Sequence, residues 1–184
     1  MSEVSGVVMG TVQSILPGVV RQNGYVVRDL DHAMEQWIAA GVGPWFTLRD
    51  TELVGTYFHG ERSDPVLSIA WSNSGDLQIE LIQPHGDRPS VYKEFLDAGH
   101  EGIHHVAFWA SDYDDVMARA AEAGWTVVQS GDSGGATRFA YLDIGVGGTI
   151  VEITEDSEGG GGMNDRIRDA AADWDGTDPI RPLF

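Results

Sequence analysis

The 184 residues contain no cysteine, so disulfides and thiolate metal sites are both excluded. Positive charge is scarce. One lysine, Lys93, and ten arginines stand against 29 aspartates and glutamates, for a formal net charge of −18. Such a surface repels phosphate backbones and anionic lipid, so neither nucleic acid nor a membrane is an expected partner. No apolar run reaches the ~20 residues of a membrane span, and Gln13 and Pro17 break the apolar stretch nearest the start. That start also lacks the basic region of a signal peptide, which makes the cytoplasm the expected location. What is present is ordinary globular composition, 42% hydrophobic, in a chain long enough for one substantial core or two small packed halves.

The clearest pattern is internal repetition. Gln22 to Val27 and Gly102 to Ala110 both read as strands, each followed at once by a helix signal. Leu30, Ala33, Met34, Trp37 and Ile38 form the apolar face of the first helix. Tyr113, Val116, Met117, Ala120 and Ala121 form that of the second, each 83 residues later. The same step carries Asp29 to Asp112 at the expected N-caps, Gly41 to Gly124 just past the helix ends, and Gln22 to His105. We read this as a duplicated module, although amphipathic helices share much of this pattern by nature.

Taken in order, residues 1–16 form an N-terminal arm and 17–85 a first module, its opening strand running from Gly18 to Val27. Thr51 to Asp64 is the main insertion of the first half, with Tyr57, Phe58 and His59 in a hairpin arm or a pocket-covering loop. Residues 86–101 connect, with a short helix at Val91 to Ala98, and 102–155 form the second module. Residues 156–184 hold a flexible glycine-rich link, a helix from Met163 to Trp174 and an extended tail. Trp174, Ile180, Leu183 and Phe184 should pack on the domain or on a second subunit. The expected fold is α+β, with paired βαβββ modules forming one curved sheet around one site.

Side chains alternate along a strand, so His105 should share a face with Ala107 and Trp109 while His104 points away with Val106 and Phe108. Glu80 and Glu152 each lie between large apolar residues on the closing strand of a module. If those neighbours face the helices, both carboxylates face the other way, and Gln22, Glu80, His105 and Glu152 converge. Such a nitrogen and oxygen set suits a divalent zinc, manganese, cobalt, nickel or iron(II) ion. The plainer reading makes the glutamates solvent-facing and His105 a core histidine. His59 is a secondary acid/base candidate, and Trp45, Phe46, Trp71, Trp109 and Phe139 are candidates to line a pocket.

Gly24-Tyr25-Val26-Val27-Arg28-Asp29-Leu30, His105-Val106-Ala107-Phe108 and the two glutamate strands together resemble the vicinal oxygen chelate superfamily, the group of glyoxalases, methylmalonyl-CoA epimerases and extradiol dioxygenases. The resemblance spans Gly18 to Glu155 and implies Gln22, Glu80, His105 and Glu152 as metal ligands. It implies a metal-dependent isomerase, epimerase or lyase acting on a small carbonyl compound through an enolate, with Glu80 or Glu152 as base and a homodimer as assembly, and the aromatic pocket candidates point to an apolar compound. Epimerase-like members carry histidine first and glutamine second, where this chain has Gln22 and Glu80. Dioxygenases use two histidines and one carboxylate. A metal-free binding protein and an iron(II) oxygenase are the alternatives.

Overall fold

Two of the helices start where an aspartate can take up a free backbone N–H. Asp29 accepts from the His32 N–H at 2.9 Å and Asp112 from that of Asp115 at 3.3 Å, opening α1 (Leu30–Ala39) and α3 (Tyr113–Glu122). Both helices are followed by a glycine in the left-handed region, Gly41 at φ +89° and Gly124 at φ +80°. The remaining elements are β1 (Gln22–Val26), β2 (Trp45–Glu52), β3 (Tyr57–Phe58), β4 (Glu61–Arg62), β5 (Val66–Ser74), β6 (Leu77–His85), α2 (Val91–Asp97), β7 (Gly102–Ala110), β8 (Thr126–Gly131), β9 (Phe139–Asp143), β10 (Ile150–Glu155), α4 (Gly161–Ala172) and β11 (Ile180–Pro182). This computed structural model describes residues 14–132, 135, 137–156 and 161–184. Most of the N-terminal arm and the centre of the glycine-rich link lie outside the described residues. Among the described residues no helix is long and apolar enough to cross a membrane.

Among the described residues all strands join one sheet in the order β11-β2-β5-β6-β1-β7-β10-β9-β8-β3-β4. The two halves meet at β1 and β7, which run antiparallel with Gln22 opposite Ala107 and Gly24 opposite His105. On the flanks, β6 runs parallel to β1 with Glu80 beside Gly24, and β10 runs parallel to β7 with Glu152 beside Ala107. Exchanging the halves maps this pairing onto itself: Gln22 takes the place of His105, Gly24 that of Ala107, and Glu80 that of Glu152.

One face of the sheet is covered by α1 and α3. Ile79 and Leu81 pack with Leu30 and Met34 under α1, while Val151 and Ile153 pack with Val116 and Ala120 under α3. The opposite, inner face takes α2 at one end, through Val91 and Tyr92 against Val26, Ile82 and Tyr141. It takes α4 at the other, through Ile167 against Phe46 and Trp71. The insertion of the first half is a hairpin with a two-residue turn, His59 at φ +48° and Gly60 at φ +81°. It crosses to the far edge of the sheet, where Tyr57 pairs with Ser130 of β8.

The structure corrects several expectations. The opening strand begins at Gln22 rather than Gly18, and the last helix runs over Gly161–Ala172. The tail does pack, with β11 parallel to β2 and Leu183 buried, but Ile180 is 42% and Phe184 94% exposed. The larger correction concerns His104. The β1–β7 register jumps from Gly24 opposite His105 to Tyr25 opposite Ile103, so His104 is the extra residue of a β-bulge. A bulge breaks strict alternation. The His104 ring therefore packs on Phe95 at 5.0 Å and beside His105 at 5.3 Å, on the inner face, instead of pointing away with Val106 and Phe108.

Candidate metal centre

Glu80, His105 and Glu152 each offer a donor atom, and the three lie within 4.8 Å of one another, all buried. His105 Nε2 stands 3.5 Å from Glu80 Oε2 and 3.2 Å from Glu152 Oε2. Neither approach has the alignment of a hydrogen bond, so Nε2 is buried without a partner. The other oxygen of each carboxylate is already held. Trp71 Nε1 donates to Glu80 Oε1 at 2.7 Å, and Thr154 Oγ1 donates to Glu152 Oε1 at 3.2 Å. These bonds leave both Oε2 atoms turned to the imidazole.

The imidazole reaches this point because its neighbour across the strand pair has no side chain. A Cβ on Gly24 would lie 1.8 Å from His105 Cε1, so the ring occupies the space above β1 that any other residue would fill. Tyr141 closes the other side, with ring centroids 4.9 Å apart and near perpendicular. His104 and His105 face each other through Nδ1 at 3.0 Å. Burial, reinforced by the facing His105, drives His104 down to about 3 and keeps it neutral. With the neutral His104 accepting from His105 Nδ1–H, Nε2 is the atom presented to the carboxylates.

The electrostatics are those of a site short of positive charge. Burial raises the Glu80 carboxyl, and the nearby Glu152 raises it further. Burial alone would depress His105, but the facing Glu152 and Glu80 outweigh it and push the imidazole up to about 9. A divalent cation would answer the same need, and the donor set of one imidazole nitrogen and two carboxylate oxygens fits such an ion.

Gln22 lines the same cavity, of about 320 Å³, as do Trp71 and Trp109. Its Nε2 donates to Gln78 Oε1 at 2.7 Å, so its Oε1 is the atom it could offer an ion. Trp45, Phe46 and Phe139 are core residues instead. His59 is not brought to the carboxylates. It lines a second cavity of about 690 Å³ with Phe95, His100 and His104. Gly24, Gln78, Thr154 and Asn164 were not foreseen. Gln78 and Thr154 lie two residues from a site glutamate on the same strand face, a signal that strand alternation carries. Asn164, on α4, had none.

The sequence profile of the Glyoxalase/Bleomycin resistance protein/Dioxygenase superfamily matches residues 21–141. The chain belongs to this superfamily. Among solved structures, a hypothetical protein from Bacillus halodurans is 19% identical with a TM-score of 0.56, covering 76% of this chain and 95% of its own. The methylmalonyl-CoA epimerase of Mycobacterium tuberculosis is 23% identical with a TM-score of 0.55, covering 82% of this chain and 95% of its own. A further methylmalonyl-CoA epimerase structure is 21% identical with a TM-score of 0.52, over 78% and 98%. No curated protein matches in sequence. These likenesses concern the superfamily fold. The matched profile holds Gln22, Glu80 and His105 but ends before Glu152, whose place beside Ala107 repeats that of Glu80 beside Gly24.

Proposed function

We propose that this superfamily member is a metal-dependent isomerase or epimerase, or a lyase of the same chemistry, acting on a small, largely apolar carbonyl compound. The observation that carries the reading is the unpartnered, buried His105 Nε2 set between two carboxylates whose free oxygens both turn to it. His105, Glu80 and Glu152 would hold the ion, with Gln22 Oε1 as a fourth donor. A bound ion supplies a Lewis acid that polarises a carbonyl and lowers the cost of negative charge on its oxygen.

The chain's own residues supply the proton transfer. Glu80 and Glu152 stand on β6 and β10, on opposite flanks of the β1–β7 pair, so each can address one side of a carbon held between them. In an epimerisation one carboxylate would accept the α-proton on its Oε2 while the other, carrying a proton, would deliver it to the opposite face of the same carbon; in a proton shift one carboxylate would accept the proton and return it to the neighbouring carbon. Trp71 and Thr154 keep the two groups oriented by holding Oε1. Trp71 and Trp109 wall the cavity and exclude water from the carbanionic carbon. The metal-free binding protein is the weaker reading, because two buried carboxylates beside one imidazole are costly to retain without an ion to balance them.

Protein purified without chelators should carry close to one equivalent of a divalent ion. Metal-loaded protein in deuterium oxide should wash deuterium into the α-position of small hydroxyketones. Glu80→Gln or Glu152→Gln should slow that exchange by about 100-fold or more. Absence of both bound metal and exchange refutes the proposal, and oxygen uptake with iron(II) would point to the oxygenase alternative.

A further inference from the structure

We infer that α4 is a specificity element, and that it fits the site to an uncharged small compound with vicinal oxygens and a further hydroxyl for Asn164, excluding substrates carried on a nucleotide phosphate such as acyl-CoA thioesters. The inference rests on the proposed site and narrows what enters it. Met163 and Asn164, in the first turns of α4, line the cavity that holds Glu80 and Glu152. Three amides tie the helix to the sheet: Gln22 Nε2 donates to Gln78 Oε1, and Gln78 Nε2 donates to Asn164 Oδ1 at 3.1 Å. With Oδ1 taken, Asn164 offers its Nδ2 amino group, a neutral donor, to whatever fills the cavity. Between the two indole walls and this donor the lining selects a compact body with one distal hydrogen-bond acceptor.

Charge argues the same way. All eleven basic residues fall among the described residues, and none of them lines this cavity. The acidic side chains of Glu155 and Asp156 do. Arg138, which reaches that rim at Glu155, is committed to Glu155 and Asp114. Arg21 lies over Trp109 at 4.7 Å and shares a narrow neighbouring cleft with Arg168, Asp76 and Asp165, two charges of each sign. A coenzyme A thioester would have to lay its phosphates along this rim, against the field of a chain of net charge −18. No cluster of arginines is there to hold them.

The test is calorimetric titration of the full chain, with and without bound cobalt(II), using three probes: acetohydroxamic acid, glycolohydroxamic acid and methylmalonyl-CoA. Both hydroxamates are uncharged vicinal-oxygen compounds, and only the second has a distal hydroxyl. Both should bind, and methylmalonyl-CoA should bind at least tenfold more weakly than either. Asn164→Leu should weaken glycolohydroxamate about tenfold, the cost of one hydrogen bond in a closed site, and leave acetohydroxamate unchanged. Circular dichroism of the variant checks that α4 is still formed. The inference is overturned if the thioester binds as tightly as the hydroxamates, if Asn164→Leu weakens both hydroxamates alike, or if neither hydroxamate binds with or without cobalt. Discrimination by a chain that takes up no cobalt would leave the inference standing and remove the metal reading instead.

Discussion

At the scale of single residues, the site depends on a hole as much as on its donors. Gly24 faces His105 across the strand pair, and the imidazole sits where a Cβ would be. Gly24→Ala should displace the ring against Tyr141, lowering stability by about 1–3 kcal/mol, as overpacking does, and metal uptake by at least tenfold. Equilibrium unfolding and metal analysis of the purified variant check both effects. His105 gives a second prediction, for protein stripped with a chelator. Its folded value of about 9 lies above the ordinary 6.5, so its contribution is complete below pH 6.5 and is lost as pH rises towards 9. The urea midpoint should fall across that window, and His105→Gln should flatten the fall. The pairing of Gln22 with His105 could be read from the repeat spacing, and that of Glu80 with Glu152 from their like places between apolar residues on the closing strands, because repetition fixes equivalent places without coordinates. The bulge at His104 could not, since a one-residue misfit between two strands depends on the partner strand as well as on the residue itself. The hole at Gly24 was equally hidden, for a glycine in a strand does not say what will fill its space.

Secondary-structure elements were legible in proportion to how local their causes are. The helices α1 and α3 announce themselves by Asp29, Asp112, Gly41 and Gly124, and the structure uses all four in those roles. Asp29→Ala and Asp112→Ala should each cost about 1 kcal/mol and add independently, because the caps lie on separate helices. Chemical denaturation of the two single variants and the double variant tests this. The C-terminal helix is the opposite case. Its formation could be expected from pattern, yet its docking over the inner face through Ile167 is a tertiary choice that no local signal records. Ile167→Ala should cost about 2–5 kcal/mol, as truncation of a fully buried isoleucine does. Because α4 also carries Asn164, loosening it should blur discrimination between ligands as well as weaken the fold.

For the molecule as a whole, metal and stability should be linked. An ion that binds the folded chain alone stabilises it by mass action, about 2.7 kcal/mol at a free concentration one hundred times the dissociation constant. The melting temperature should therefore rise with added divalent ion and return on chelation, and Glu80→Gln with Glu152→Gln should remove the response. The two halves meet through the ladder between β1 and β7, through the pairing of β3 with β8 and through the helices laid over the inner face. Glu80 belongs to one half, His105 and Glu152 to the other, and the donors converge over that junction. Neither half alone can therefore assemble the trio. An ion lodged there acts as a rivet through the join, so cutting the chain in the connector should leave two fragments whose reassociation tightens when metal is supplied and slackens when it is withdrawn.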